Sequence, residues 1–257
     1  MTSTSKKIVI YLISIIGIIL VLYLIGFIIN NDIIFPTPSA ILKALGNLLT
    51  RSNTYVIIGY TLLRLIITLL LSFLIGAILG ILAGRFIYLR IFLRPWITIL
   101  RSLPLAAIIV IIMILLGFTR SPYVIAMLML VPIVYEAFLN GILNLDKELM
   151  SVWRLESNFN LKVLTMIIFP LSKPFIKTAY FQSVGLGIKV LIMAEFVCAT
   201  PNSIGQALVT NANNLNYDVV FAWSIIAIVL VVILENILRL FKERKETIST
   251  TEQVITK

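Results

Sequence analysis

The sequence has no histidine, a single cysteine (Cys198) and only 12% charged residues, where soluble domains carry about 25%. Each shortage excludes a class of function. Without histidine there is no imidazole for acid–base chemistry near neutral pH and no zinc site of the usual His/Cys kind. One cysteine permits no internal disulfide. The chain contains no GxxxxGK[ST] loop to cradle a nucleotide phosphate, and neither HExxH nor GxSxG to seat hydrolysis. Metal sites and enzyme chemistry therefore have no visible seat.

What is abundant is apolar: 60% hydrophobic residues and a mean hydropathy of +1.09. That excludes a soluble globular protein. The uncharged runs approach the ~20 residues that cross a bilayer as a helix, which favours a helix bundle over a barrel of alternating strands. A net charge of +10 raises the question of nucleic acid. The basic residues are spread between the apolar runs, however, where they act as orientation signals in a membrane.

The expectation is an all-α, polytopic membrane bundle forming one domain over residues 1–257, with about six spans. Residues 1–7 form a cytoplasmic N-terminus. Ile8–Ile29 is too long for the apolar part of a cleavable signal and reads as a retained helix. In FPTPSAILKALGNLL, Pro36 and Pro38 force an extended entry, Ser39 caps a helix, and Ile41, Leu42, Leu45 and Leu48 fall on one side, as in an interfacial helix. Tyr55–Gly84 exceeds one perpendicular span, so its first part is expected near the interface and its crossing from about Leu65. Gly76, Gly80 and Gly84 recur every four residues and allow close helix contact. Arg85, Arg90 and Arg94 mark a cytoplasmic loop. The further spans are Pro95–Phe118, interrupted near Arg101 and Pro104, then Ser121–Leu143 after a short outer turn, Thr178–Ala199, and Asp218–Leu238, with an asparagine-rich outer loop at 200–216 and a cytoplasmic tail at 239–257. With both termini inside, only Lys43, Arg51 and Arg120 lie on the outer side. Arg64, Arg101 and Lys189 lie in spans, and the remainder of the 21 Lys and Arg residues face the cytoplasm, as the positive-inside tendency requires.

One long interval, Leu143–Thr178, cannot cross lipid, because it holds Asp146, Lys147, Glu148, Arg154, Glu156, Lys162, Lys173 and Lys177. Inside it Leu149, Val152 and Trp153 share one face of a short helix. That face suits either a protein groove or the lipid interface. Beyond it, Pro170 and Pro174 are expected to break the helix. The loop held outside the lipid thus covers 144–177.

Charges inside spans are costly, roughly 2.5 to 3.5 kcal/mol each at a helix centre, so they face a partner charge, the bundle or a water-filled space. Arg64, Arg101 and Lys189 are the cations of this kind, and Glu136, Glu195 and Glu235 the anions. Arg64 and Glu235 read first as structural pairing or snorkelling. Glu195, deep within LIMAEFV, is the candidate to line a pathway or gate. Arg64, Arg101, Glu136 and Lys189 join it as pathway or gating candidates.

The interval around Trp153 resembles the cytoplasmic coupling segment of ABC-importer permeases, in which E-A-A is followed after three residues by G and after nine more by I-x-L-P. The spacing falls here on Ser151, Val152 and Trp153, then Ser157, then Ile167, Phe169 and Pro170; Ser151 stands for the glutamate, Trp153 for an alanine and Ser157 for the glycine. FPTPSAILKAL, TLLRL around Arg64, LRSLP at Leu100–Pro104, Gly117–Phe118, and AEF followed by Ile204–Gly205 resemble the sulfonate, taurine, nitrate and thiamine-precursor branch. The resemblance implies an importer of two permease copies, a pair of cytoplasmic ATPases that bind ATP and magnesium in place of this chain, and an extracytoplasmic substrate-binding protein. It implies further that Leu149, Val152, Trp153, Arg154 and Ser157 form the coupling helix that docks in the ATPase. Nucleotide-driven closure would then switch the pore by alternating access. No cofactor is implied for this chain itself, and its partners are membrane lipid and the subunits named. A non-transporting membrane scaffold is the alternative, and an intramembrane enzyme using Ser183 or Cys198 beside Glu195 is a third reading.

Overall fold

The computed structural model describes residues 36–144 and 169–255 together with Gly17, with side chains as far as Ile237 except Leu171. The expected first span at 8–29 lies outside these residues. Over residues 36–144 and 169–255 the structure shows seven helices: α1 (Pro38–Leu49), α2 (Ser52–Arg85), α3 (Ile87–Ser102), α4 (Leu105–Leu143), α5 (Phe169–Val197), α6 (Ile204–Asn213) and α7 (Tyr217–Ile255). No strand occurs among the described residues. Among the described residues four segments are long and apolar enough to cross a membrane: Ser52–Arg85, Leu105–Leu143, Ser172–Val197 and Tyr217–Ile237. The chain is a polytopic helical membrane bundle.

Helix α1 is capped by Thr37, whose side chain accepts the Ala40 amide, rather than by Ser39. Pro38 supplies the preset backbone of a first helical position. Its buried residues are Ala44 and Leu48, which pack on Ile204, Ala222 and Trp223, whereas Leu42 faces outward at 65% exposure. Helix α2 runs unbroken through Leu65. Its 34 residues make it about 51 Å long at 1.5 Å per residue, well beyond the ~30 Å hydrocarbon core. Gly76, Gly80 and Gly84 lie against Val134, Phe138 and Ile142, so α2 and the second half of α4 run parallel with their backbones close. A Cβ at Gly80 would sit 2.7 Å from both Phe138 Cβ and the Tyr135 carbonyl.

Only Phe86 separates α2 from α3, so Arg90 and Arg94 stand on an amphipathic helix and not in a loop. Arg90 folds back to donate to the Ala83 (3.1 Å) and Gly84 (3.3 Å) carbonyls, satisfying orphan acceptors at the end of α2. The expected span Pro95–Phe118 is interrupted at Leu103 and Pro104, between α3 and α4. The apolar run then reverses inside α4: Gly117 adopts φ 74°, ψ 176°, and Ser121 Oγ donates to the Ile112 carbonyl at 3.0 Å. Nine residues along a straight helix would separate those groups by about 13 Å. Residues 105–116 and 118–143 are therefore two arms of a hairpin, as the expected outer turn requires.

Helix α5 continues through Pro170 and Pro174, contrary to the expected break. Its early turns meet the end of α4, where a Cβ on Gly141 would lie 2.7 Å from Ser172 Cβ. The asparagine-rich stretch contains α6, capped by Ser203, which accepts the Gln206 amide at 2.9 Å. Its Ile204, Ala207 and Leu208 pack with α1 and α7. The main core joins Leu65, Ile109, Ile125, Ala126, Ile188, Leu191, Ala194 and Cys198, drawn from α2, both arms of α4, α5 and the residue just after it. One end of the bundle gathers the ends of α2 and α4 and the start of α5. The other gathers α1, the start of α2, α6 and the start of α7.

Candidate functional site

The charged residues within the spans come together as three pairs. The deepest joins α2 to α5. Arg64 Nη1 donates to Glu195 Oε1 at 3.0 Å, and both residues are buried, Glu195 completely. The carboxylate also accepts from Thr61 Oγ1 at 3.0 Å and 3.2 Å and from the Gly205 backbone. Thr61 Oγ1 in turn accepts the Ile204 amide at 3.2 Å. The first amides of α6 are thereby aimed at an anion and its hydrogen-bonded neighbour, the favourable polarity for a helix N-terminus.

Arg64 reaches past Glu195 to the turn that follows. Its Nη2 donates to the Pro201 carbonyl at 2.7 Å and its Nη1 to that of Asn202 at 3.1 Å. This turn carries two left-handed residues, Ala199 (φ 46°) and Asn202 (φ 52°), a conformation that non-glycine residues adopt only when their surroundings hold them. Thr200 secures it from the other side, its hydroxyl donating to the Phe118 carbonyl at 2.8 Å. Glycine is required at 205, because a Cβ there would collide with the backbone of Glu195 and Phe196. The result is a joint in which one ion pair holds α2, α5, the 199–203 turn and the start of α6.

The other two pairs are partly open. Arg101, at the end of α3, pairs with Glu136 on the returning arm of α4. Both border a cavity of about 480 Å³ between α3, α4 and α5, into which Asn140, Thr178 and Gln182 also project. Lys189 on α5 pairs with Glu235 on α7 at 3.0 Å. Every candidate cation within a span thus meets a candidate anion, but the three pairs remain separate, and Glu195 lines neither this cavity nor the larger one at the opposite end.

The coupling candidates Leu149, Val152, Trp153, Arg154 and Ser157 lie outside the described residues. The loose enzyme constellation does not assemble: Ser183 stands twelve residues before Glu195 on α5, about 18 Å along the axis, and the carboxylate is committed to Arg64 and Thr61. Burial pushes the Cys198 thiol up from its ordinary range, away from a nucleophilic thiolate. Sequence reasoning missed Thr61 and the Pro201 and Asn202 carbonyls. Thr61 stands three residues before Arg64, on the same helix face, which is the signal that would have found it.

The family model of binding-protein-dependent transport system inner membrane components matches residues 76–247. Comparison with curated proteins found no match.

Proposed function

Since the chain belongs to the family of binding-protein-dependent transport system inner membrane components, we propose that it is the permease of an ATP-driven importer carrying a small organic or anionic nutrient inward. The observation that carries this reading is the match over 76–247, which takes in the hairpin of α4, the interval at 145–168 and the crossings of α5 and α7. The importer would comprise two copies of this chain, a pair of cytoplasmic ATPases that bind ATP and magnesium, and an extracytoplasmic binding protein, in a prokaryotic plasma membrane.

In this reading Leu149, Val152, Trp153, Arg154 and Ser157 form the handle on which the ATPase pulls. An apolar helix face docking in a groove is a common recognition mode. The interval joins the end of α4 to α5, and those helices meet closely at Gly141 and Ser172, so a pull there would act on the packed end of the bundle. Rigid-body rocking of packed helices is an established route for such switching. The Arg101–Glu136 pair, which borders the cavity of about 480 Å³, is the gating contact. Lys189 is a pathway residue tethered by Glu235, and Arg64 and Glu195 act in gating as positioning residues, by holding α2, α5 and α6 in one unit. The sulfonate, nitrate or thiamine-precursor class of cargo rests on the motifs that resemble that branch.

Replacing Trp153 with Glu tests the coupling role. The variant is expected to insert and express normally but to lose its ATPase on co-purification. Undiminished co-purification would end this assignment of Trp153.

A further inference from the structure

At the end of the bundle opposite the 145–168 interval lies a second cavity, of about 800 Å³, within the range of small-ligand sites. Residues of α1, α2, α6 and α7 line it, among them Lys43 and Asn47 on α1, Arg51 between α1 and α2, Gln206 on α6, and Asp218 and Trp223 on α7. Lys43 and Asn47 are four residues apart on α1 and so share a face.

Lys43 and Arg51 make no ion pair with any described residue, and neither does Asp218. Two cations and one carboxylate thus border one cavity, together with the Asn47 and Gln206 side-chain amides. A ligand complementary to that pattern carries an oxyanion at one end and an ammonium at the other.

We infer that this cavity binds a zwitterionic head group, its phosphate-like or sulfonate-like oxyanion against Lys43 and Arg51 and its ammonium against Asp218. An oxyanion gains most from a guanidinium fork and an ammonium together, and the carboxylate that shares the cavity discriminates against a purely anionic ligand. Such a group reaches the site either as a free solute or as the head of a phospholipid. Helix α1, which lines the cavity, exposes Leu42 and Leu49 in the manner of an interfacial helix, so both routes lead to the same contacts. This site stands apart from the coupling and transport reading and needs no ATPase to be detected.

Trp223 provides the probe. In the full chain carrying Trp96→Phe and Trp153→Phe, its fluorescence is titrated with O-phosphoethanolamine in detergent. The protein is then compared in nanodiscs of phosphatidylethanolamine and of phosphatidylcholine, whose trimethylated head group cannot donate a hydrogen bond to Asp218. The expected result is a saturable change with the free head group, or a difference between the two lipids. Either is to weaken at least tenfold in Lys43→Gln/Arg51→Gln and several-fold in Asp218→Asn. A response to the free compound in detergent identifies a solute site, and a response only in phosphatidylethanolamine discs identifies a lipid site. Lys43 and Arg51 are exposed, so their substitution spares the fold, and an unchanged Trp223 emission maximum before titration verifies this. The proposal is overturned if neither arm responds, if the response survives Lys43→Gln/Arg51→Gln, or if inorganic phosphate matches O-phosphoethanolamine and Asp218→Asn changes nothing.

Discussion

Glu195 holds a charge where no water reaches it, and its stability depends on Arg64, Thr61 and the start of α6 all being in place. Removing one member of such a buried pair strands the other, at a cost of about 3–5 kcal/mol, whereas exchanging both for apolar groups costs far less. Glu195→Gln and Arg64→Met are therefore each expected to lower the thermal midpoint of the detergent-solubilised chain strongly, and Arg64→Met/Glu195→Met to recover part of the loss. Additive losses in the double variant would show that the two side chains do not act as a pair. Cys198 offers a second test at this scale. Buried in the core with its thiol pushed up, it is expected to resist maleimide at pH 8 until the protein is unfolded, and rapid labelling of the folded chain would contradict its placement. The charged residues themselves were legible in the sequence, because a charge in an apolar run stands out against its cost. Their pairing was not: Arg64 and Glu195 are 131 positions apart, and nothing local to either names the other.

Helices were legible where composition had one interpretation and misread where two signals competed. The spacing of Gly76, Gly80 and Gly84 announced a close contact, and each glycine indeed lies under a side chain of α4. Proline misled at α5, since Pro170 and Pro174 suggested a break whereas the helix runs through both. Asparagine misled at α6, whose apolar face of Ile204, Ala207 and Leu208 is short and diluted by polar neighbours. Two glycines of α2 make a direct test of the packing. Gly80→Ala places a methyl 2.7 Å from the Tyr135 carbonyl, while Gly59 has nothing within 4 Å. The first substitution is expected to destabilise the chain. Gly59→Ala is expected to be neutral or to stabilise by up to about 1 kcal/mol, since glycine weakens a helix interior. Gly117 tests the hairpin by another route. Its surroundings are open, but φ 74° with ψ 176° is a region essentially confined to glycine. Gly117→Ala is accordingly expected to cost about 1–3 kcal/mol through the backbone alone, measurable as a lower thermal midpoint, and an unchanged midpoint would argue against the reversal there.

Across the whole molecule the two ends differ in how they are held. The joint at Glu195 ties α2, α5 and α6 through buried hydrogen bonds. Nearer the end where α4 stops and α5 begins, α3 meets α4 through the half-exposed Arg101–Glu136 pair beside an open cavity. Exposed pairs are individually weak, about 0–1 kcal/mol, so this contact can break and re-form while the Glu195 joint stays intact. A gate needs that property, since a contact worth several kcal/mol would hold one state at all times. Arg101→Glu sets two carboxylates side by side and Glu136→Arg two guanidinium groups, and each is expected to cut uptake in a reconstituted importer while leaving the thermal midpoint within a few degrees. Combining them restores an opposite-charge pair in reversed order, and uptake is expected to rise several-fold above either single variant, the coupling that a double-mutant cycle isolates. If the reversed pair transports no better than the single variants, the charges act on the passing solute and not on each other, and the gate must be sought elsewhere along α4 and α5.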